Sequence, residues 1–355
     1  MVSAANPGAT LVAPVHPIDT VALATYLRGH VAPFSGTIEV EQFHGGQSNP
    51  TYRIGAGDRR YVLRRKPPGP LLPSAHAVDR EFRVMSALAR TDVPVPRMYA
   101  LCEDPSVIGT AFYVMEYVEG RVLWDPTLPG MTRTQRAAHY AEVNRVIAAL
   151  HRVDIGAVGL SDYGKPGNYI ERQIARWSRQ YQAAGGERIP AMDRLIEWLP
   201  RHVPSSDETA IVHGDYRIDN VIFHPSEPRV LAVLDWELST LGHPLSDFAY
   251  QVMAWRLTPQ QFRGLKGIDV EALGIPTEEE YIALYCQRTG RAAIPDWEIY
   301  LIFNMFRVAA ILHGVLARAL QGNASSSNAV EQGSRARLVA ATAWEMAQRI
   351  DGEAR

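Results

Sequence analysis

Ile211-Val212-His213-Gly214-Asp215-Tyr216-Arg217-Ile218-Asp219-Asn220 is the stretch on which the reading of this chain turns. Ile211-Val212 before the loop and Val221-Ile222-Phe223 after it are apolar runs that read as short strands. The Asp and the Asn therefore sit on a loop between two strands. A second signal follows: Val230-Leu231-Ala232-Val233-Leu234 reads as a buried strand, and it ends in Asp235-Trp236-Glu237. An H-x-D-x-x-x-x-N loop followed by a strand-end carboxylate is a pattern of phosphoryl transfer. That chemistry needs a carboxylate to orient an attacking hydroxyl and accept its proton. It also needs oxygen ligands for Mg²⁺, a hard cation. Asp215 is the candidate base, and Asn220 and Asp235 are the candidate metal ligands. One Asp alone would read as a turn cap; two motifs in this order are more specific than that.

Outward from that stretch, the whole chain has 355 residues, 46% of them hydrophobic and 21% charged, which suits two globular domains or one large bilobal unit. Lys plus Arg total 36 against 38 Asp plus Glu, so no bulk positive field draws the chain to nucleic acid or an anionic membrane. Lys66, Lys165 and Lys266 are the only lysines. Cys102 and Cys286 lie far apart, which excludes a disulfide framework and suits a reducing cytoplasm. Met1 to Pro17 lacks the basic start and apolar run of a secretory signal, and reads as a loose tail. Asn304, Arg307 and His313 interrupt the apolar run Tyr300 to Leu316, leaving it short of the roughly 18 residues of a membrane span. A buried helix is expected there.

Between the tail and the loop the pattern changes once. Thr37–Phe43, Thr51–Ile54, Tyr61–Arg64, Met98–Cys102 and Ala111–Val118 read as strands, with a turn at Gly55-Ala56-Gly57-Asp58. Ser74–Ala89 reads as a helix with Val78, Glu81, Met85 and Leu88 on one face. Glu81 is thus an acid on an apolar stripe. A buried unpaired carboxylate is costly, so it needs a cation. Arg64, on the same strand face as Val62, is the candidate. After Glu119-Gly120 the chain turns helical, with Tyr140, Val143, Ile147 and Leu150 at helical spacing and further helices over Tyr169–Tyr181 and Met192–Leu199.

With these residues in place, the chain resembles the aminoglycoside phosphotransferase and choline kinase superfamily. It looks closest to the phosphotransferase domain fused to certain acyl-CoA dehydrogenases. Gly45-Gly46-Gln47-Ser48-Asn49-Pro50-Thr51-Tyr52, Tyr61-Val62-Leu63-Arg64-Arg65-Lys66-Pro67-Pro68, Gly167-Asn168-Tyr169-Ile170-Glu171-Arg172-Gln173, the His213–Asn220 loop and Leu234-Asp235-Trp236-Glu237 through Pro244-Leu245-Ser246-Asp247 carry the likeness. It implies an α+β, bilobal, protein-kinase-like fold. A small antiparallel β-sheet lobe over residues 18–118 would follow the tail 1–17, and a larger, mainly helical lobe would run over 119–355. ATP and Mg²⁺ are the implied cofactors, with ATP between the lobes.

The resemblance also implies roles on the nucleotide side. Gly45–Asn49 would be the turn over the phosphates, with Ser48 and Asn49 as donors. Arg64 stands where such enzymes usually place a strand lysine; an arginine fork can bridge Glu81 and phosphates, although Arg65 and Lys66 are alternatives. Adenine would bond the backbone near Glu116 and Val118. His213 would be a packed support, and Asp247 would brace the catalytic loop or simply be a helix N-terminal acid.

No long activation segment separates Asp235 from Pro244-Leu245-Ser246-Asp247, so the acceptor is expected to be a small molecule with a hydroxyl. Tyr169, Arg172, Arg176, Arg217 and Glu237 are the acceptor-side candidates, Glu237 also as a neighbour of the metal or a salt-bridge residue. Arg172, Arg176 and Arg179 share a helix face that suits an anionic acceptor of hydroxyacyl-CoA type, or is a solvated basic face. An aminoglycoside kinase and a nucleotide-binding pseudokinase are the rival readings. The oligomeric state, monomer or homodimer, is open at this level.

Overall fold

A computed structural model describes residues 11–43, 49–69, 76–321 and 329–353. The chain forms two compact units, one of Met1–Trp124, Gly156–Leu160 and Ile218–Ser239, the other of Asp125–Ile155, Ser161–Arg217 and Thr240–Arg355. The division falls between Arg217 and Ile218, inside the Asp–Asn loop.

The first unit is built on strands β1 (Leu11–Val12), β2 (Ile38–Phe43), β3 (Thr51–Ala56), β4 (Arg59–Arg65), β5 (Met98–Cys102) and β6 (Phe112–Glu116). They form one antiparallel sheet in the order β1-β2-β3-β4-β6-β5. Strand alternation divides its side chains into two sets. Tyr52, Ile54, Ala56, Tyr61, Leu63, Phe112 and Val114 are buried in one cluster with Leu23, Ala24 and Leu27 of helix α1 (Thr20–His30). The other set includes Val62, Arg64 and Tyr113. Helix α2 (Val78–Leu88) packs against β5 and β6 and buries Glu81, Val84, Met85 and Leu88.

Two expectations need correcting here. Residues 1–17 are not all loose tail: Leu11 and Val12 pair with Phe43 and Gln42, because β2 leaves an open edge that a short extended segment can satisfy. Helix α1 was not expected at all. Its start is nonetheless marked in the sequence, since Asp19 accepts hydrogen bonds from the backbone N–H groups of Val21 at 3.0 Å and Ala22 at 2.9 Å.

Strand β7 (Ala210–Val212) pairs antiparallel with β10 (Thr240–Gly242) in the second unit. The hairpin between them in sequence, β8 (Val221–Phe223) with β9 (Val230–Val233), belongs to the first unit. Arg121 and Phe223 exchange two backbone hydrogen bonds of 2.8 Å. Gly120 permits this approach: a Cβ there would stand 2.3 Å from the Phe223 carbonyl oxygen.

The second unit is otherwise helical. It contains α3 (Arg133–His151), α4 (Tyr169–Ala184), α5 (Pro190–Trp198), α6 (Pro244–Val252), the short α7 (Pro259–Phe262) and α8 (Val270–Leu273), α9 (Glu278–Thr289), α10 (Trp297–Leu320), α11 (Ala329–Ser334) and α12 (Ala336–Glu353). By length and composition α10 could cross a membrane, but most of it is buried among α4, α6, α11 and α12. The three polar residues that interrupt its apolar run each have a backbone partner. The Asn304 amide donates to the Ser246 carbonyl at 2.8 Å, Arg307 donates to the Gly214 carbonyl, and His313 Nε2 bonds the Gly185 carbonyl at 2.7 Å. Cys102 and Cys286 are both buried free thiols.

His243 caps α6, its Nδ1 accepting the Leu245 N–H at 3.2 Å, while Nε2 lies 3.3 Å from the hydroxyls of Ser206 and Tyr300. Burial pushes its pKa down to about 4 against the pull of Glu208. The unfolded chain takes up this proton near pH 6.5, so stability is lost as pH falls from there towards 4, by up to about 3 kcal/mol. His243→Asn keeps a capping acceptor and is expected to flatten that part of the dependence. Melting temperatures of both proteins between pH 7 and 4.5 measure it; parallel curves would refute the assignment.

Candidate active site

The register of the sheet sets the first group of residues. Arg64 stands across from Thr51 on one side and Tyr113 on the other. Its guanidinium lies 2.9 Å from Glu81, 3.0 Å from Asp235 and 3.3 Å from Glu237, and donates to the Thr51 hydroxyl at 3.3 Å. Glu81 is 1% exposed, so its carboxylate depends on these partners. Tyr113 donates to one of its oxygens at 2.9 Å and the Asn49 amide to the other at 2.7 Å. Burial raises the pKa of Glu81, with Arg64, Tyr113 and Asn49 pulling the other way. Burial disfavours the charge on Arg64, but Glu81, Tyr113, Asp235 and Glu237 together hold its pKa above the ordinary value.

The neighbours of Arg64 are now distinguishable. Arg65 is buried on the opposite face, over the Tyr52 ring at 5.3 Å and donating to the His16 carbonyl at 3.2 Å. It is therefore committed to the core cluster. Lys66 follows the end of β4 and is half-buried. Asn49, expected to offer a donor to phosphates, instead spends its side chain on Glu81 and on His76 Nδ1 at 2.9 Å. A buried carboxylate outbids solvent for such a donor. Ser48 and the glycines before it lie outside the described residues. Glu116 ends β6, exposed, its carboxylate accepting the Arg97 N–H at 3.1 Å; Val118 follows, half-buried.

The hairpin β8–β9 explains the meeting of Asn220 and Asp235. Asn220 directly precedes β8, and Asp235 is the second residue after β9. Antiparallel pairing, with Val221 opposite Val233, brings both to one end. The Leu234 N–H donates to the Asn220 carbonyl at 2.8 Å. Asp235 has φ +63°, a left-handed conformation that non-glycine residues adopt at a cost. Its side chain keeps 38% exposure. Among the described residues no group of three or more His, Cys, Asp and Glu forms a metal cage. The donors here are an amide and carboxylates only. Such a set suits Mg²⁺, which takes its other ligands from water and phosphate, and not a closed zinc site.

In the second unit the His213-Gly214-Asp215 segment is held by its backbone. The Asp247 carboxylate accepts the N–H groups of His213 at 2.7 Å and Gly214 at 2.8 Å. His151 Nε2 adds a 3.2 Å contact, and its Nδ1 meets the Tyr285 hydroxyl at 2.7 Å. Burial alone would raise the pKa of Asp247, yet His151, His213 and the backbone donors keep it below the ordinary aspartate value. His213 is fully buried, with Nδ1 accepting the Asp215 N–H at 3.2 Å. On the Asp215 side chain, Oδ1 accepts the Tyr250 hydroxyl at 2.5 Å and Oδ2 lies 3.5 Å from Arg217. Arg263, an exposed side chain, feels the charges of both Arg217 and Asp215.

The acceptor-side candidates are dispersed. Tyr169 lines a polar cavity of about 290 Å³ with Glu171, Ser206, Asp207 and His243, and Asp215 is not in its lining. Arg172 donates to the Lys165 carbonyl at 2.6 Å, and Arg176 is exposed over the Trp177 ring at 5.3 Å. Glu237 pairs with Arg64, and Arg217 with Asp215. Sequence reasoning passed over Tyr113, His151, Tyr250 and Arg263. Only Tyr250 carried a visible sign, since it stands three residues after Asp247 on one helix and so shares its face.

A six-stranded antiparallel sheet with an Arg–Glu pair and a helical unit carrying an H-x-D loop are the parts of a kinase-like fold. The chain belongs to the phosphotransferase enzyme family, which it matches over residues 39–297. It is 52% identical over 330 residues to acyl-CoA dehydrogenase family member 10 of Mus musculus, covering 92% of this chain and 31% of that protein. It is 44% identical over 337 residues to family member 11 of Homo sapiens, covering 91% and 43%. The chain thus spans less than half the length of these relatives. A Ralstonia eutropha crystal structure provisionally classed as an aminoglycoside phosphotransferase superposes with a TM-score of 0.86 at 57% identity, covering 94% of this chain and 99% of that one. Aminoglycoside phosphotransferase APH(4)-Ia in complex with AMP-PNP and hygromycin B gives 0.58 at 17% identity, covering 90% and 98%, a likeness of fold alone.

Proposed function

We propose that the protein transfers the terminal phosphoryl group of ATP, with Mg²⁺, to a hydroxyl of a small anionic molecule of hydroxyacyl-CoA type. The observation that carries the reading is the β8–β9 hairpin, which holds Asn220 beside an exposed, left-handed Asp235 with Arg64 at 3.0 Å. Asn220 and Asp235 would hold Mg²⁺, whose charge offsets that of the transferring phosphate. Arg64 reaches the phosphates from the strand, fixed from behind by Glu81. Adenine bonds the backbone near Glu116 and Val118. Asp215 orients the acceptor hydroxyl through Oδ2 and takes its proton. ATP as donor is supported by relatives in the fold that hold AMP-PNP or ADP.

Two features support an anionic acceptor. Curated relatives at 52% and 44% identity carry the names of acyl-CoA dehydrogenase family members. The cation beside the Asp215 carboxylate is also an arginine, Arg217 at 3.5 Å, where a polycationic aminoglycoside would need acids. A mass-spectrometric screen with MgATP and panels of hydroxyacyl-CoAs, aminoglycosides, choline and sugars tests the reading. A phosphate mass gain on the hydroxyacyl-CoAs is expected. Preferential phosphorylation of kanamycin-like compounds would replace it with the antibiotic kinase. Binding of MgATP without transfer to any hydroxyl would replace it with the pseudokinase.

A further inference from the structure

We infer that Tyr250 is a positioning residue for phosphoryl transfer: its hydroxyl holds one oxygen of Asp215 so that the other is presented to the acceptor. The inference rests on the reading of Asp215 as the base. The contact is a 2.5 Å hydrogen bond from a phenol that is 5% exposed, so water does not compete for it. Tyr250 is itself fixed. It lies on α6 three residues after Asp247, whose carboxylate holds the backbone of the same loop. The guanidinium of Arg307 sits 5.1 Å from its ring centroid and also donates to the Gly214 carbonyl, next to Asp215. One helix thus grips the loop twice, once by the main chain and once by the reactive side chain.

The consequence is chemical as well as geometric. A carboxylate with one oxygen drawn on by a buried phenol is the stronger base at its second oxygen, here Oδ2. Burial raises the pKa of Tyr250, with Asp215 adding to the effect, so the phenol stays a donor across the working range. Among the charged and titratable groups near Asp215, Arg217 lies 3.5 Å from Oδ2, Arg263 acts through its charge, and His213 Nδ1 accepts the Asp215 N–H.

Tyr250→Phe keeps the ring and removes the bond. It is expected to lower kcat about ten- to hundredfold, the scale of one charge-assisted hydrogen bond, with little change in the KM for MgATP. The acid limb of the kcat–pH profile should move to higher pH, because a carboxylate that loses a donor to its charged form keeps a proton more readily. Tyr250→3-fluorotyrosine, a stronger donor of nearly the same shape, should move that limb lower. It serves equally if the phenylalanine variant folds poorly. Unfolding of the wild type, Tyr250→Phe, Asp215→Ala and the double variant should be non-additive. Wild-type kcat and profile in Tyr250→Phe, or additive stabilities, would overturn the inference. If the wild type phosphorylates nothing, the functional reading fails by itself, and the stability cycle still decides on Tyr250.

Discussion

Asp215→Asn is expected to lower phosphoryl transfer about 10²–10⁴-fold, the range for loss of a positioned general base, and to leave MgATP binding intact. The substitution is nearly isosteric. Its side-chain oxygen can still accept the Tyr250 hydroxyl, and the backbone bonds from Asp247 to His213 and Gly214 do not involve residue 215. What the amide lacks is the capacity to take the acceptor's proton and a charge to set against Arg217. Steady-state turnover and calorimetric titration with MgATP separate the two effects. Unchanged turnover would remove Asp215 from the mechanism and the proposed chemistry with it.

Arg64→Ala is the second large effect, and it is first an effect on the fold. Glu81 is left buried, with Tyr113 and Asn49 as its remaining partners, and removing one member of a buried pair costs about 3–5 kcal/mol. Part of that cost is escapable, because a stranded carboxyl can take up a proton, so the loss should be smaller at pH 5 than at pH 8. Glu81→Gln in the same chain removes the stranded charge and should restore part of the stability. Urea unfolding of the two variants at both pH values gives the answer. Equal losses at the two pH values, with no recovery in the double variant, would mean that Arg64 acts by packing alone.

The parts of this architecture that could be read beforehand share a physical property: their evidence is local or follows from a forced choice. The strands announce themselves by alternation and their turns. The Arg64–Glu81 pair was legible because an acid on an apolar helix stripe must find a cation, and the strand face offered one. The loop motif fixed the positions of Asp215 and Asn220 by spacing. What escaped depends on pairings between distant segments. Nothing near Tyr113 says that β6 and not β5 lies beside β4, which is what brings its hydroxyl to Glu81. Likewise nothing near His151 points 96 residues ahead to Asp247. The commitment of Asn49 to Glu81 belongs with these, since turn composition shows donors but not which acceptor wins them.

The guanidinium at position 64 has one more consequence. Reagents that tag nucleotide-binding enzymes by acylating a strand lysine need an amine that is unprotonated for part of the time. An arginine clasped by three carboxylates never supplies that nucleophile. In a cell extract surveyed with such labels, position 64 would stay dark whether or not the protein is active, so the absence of a label there would say nothing about its function.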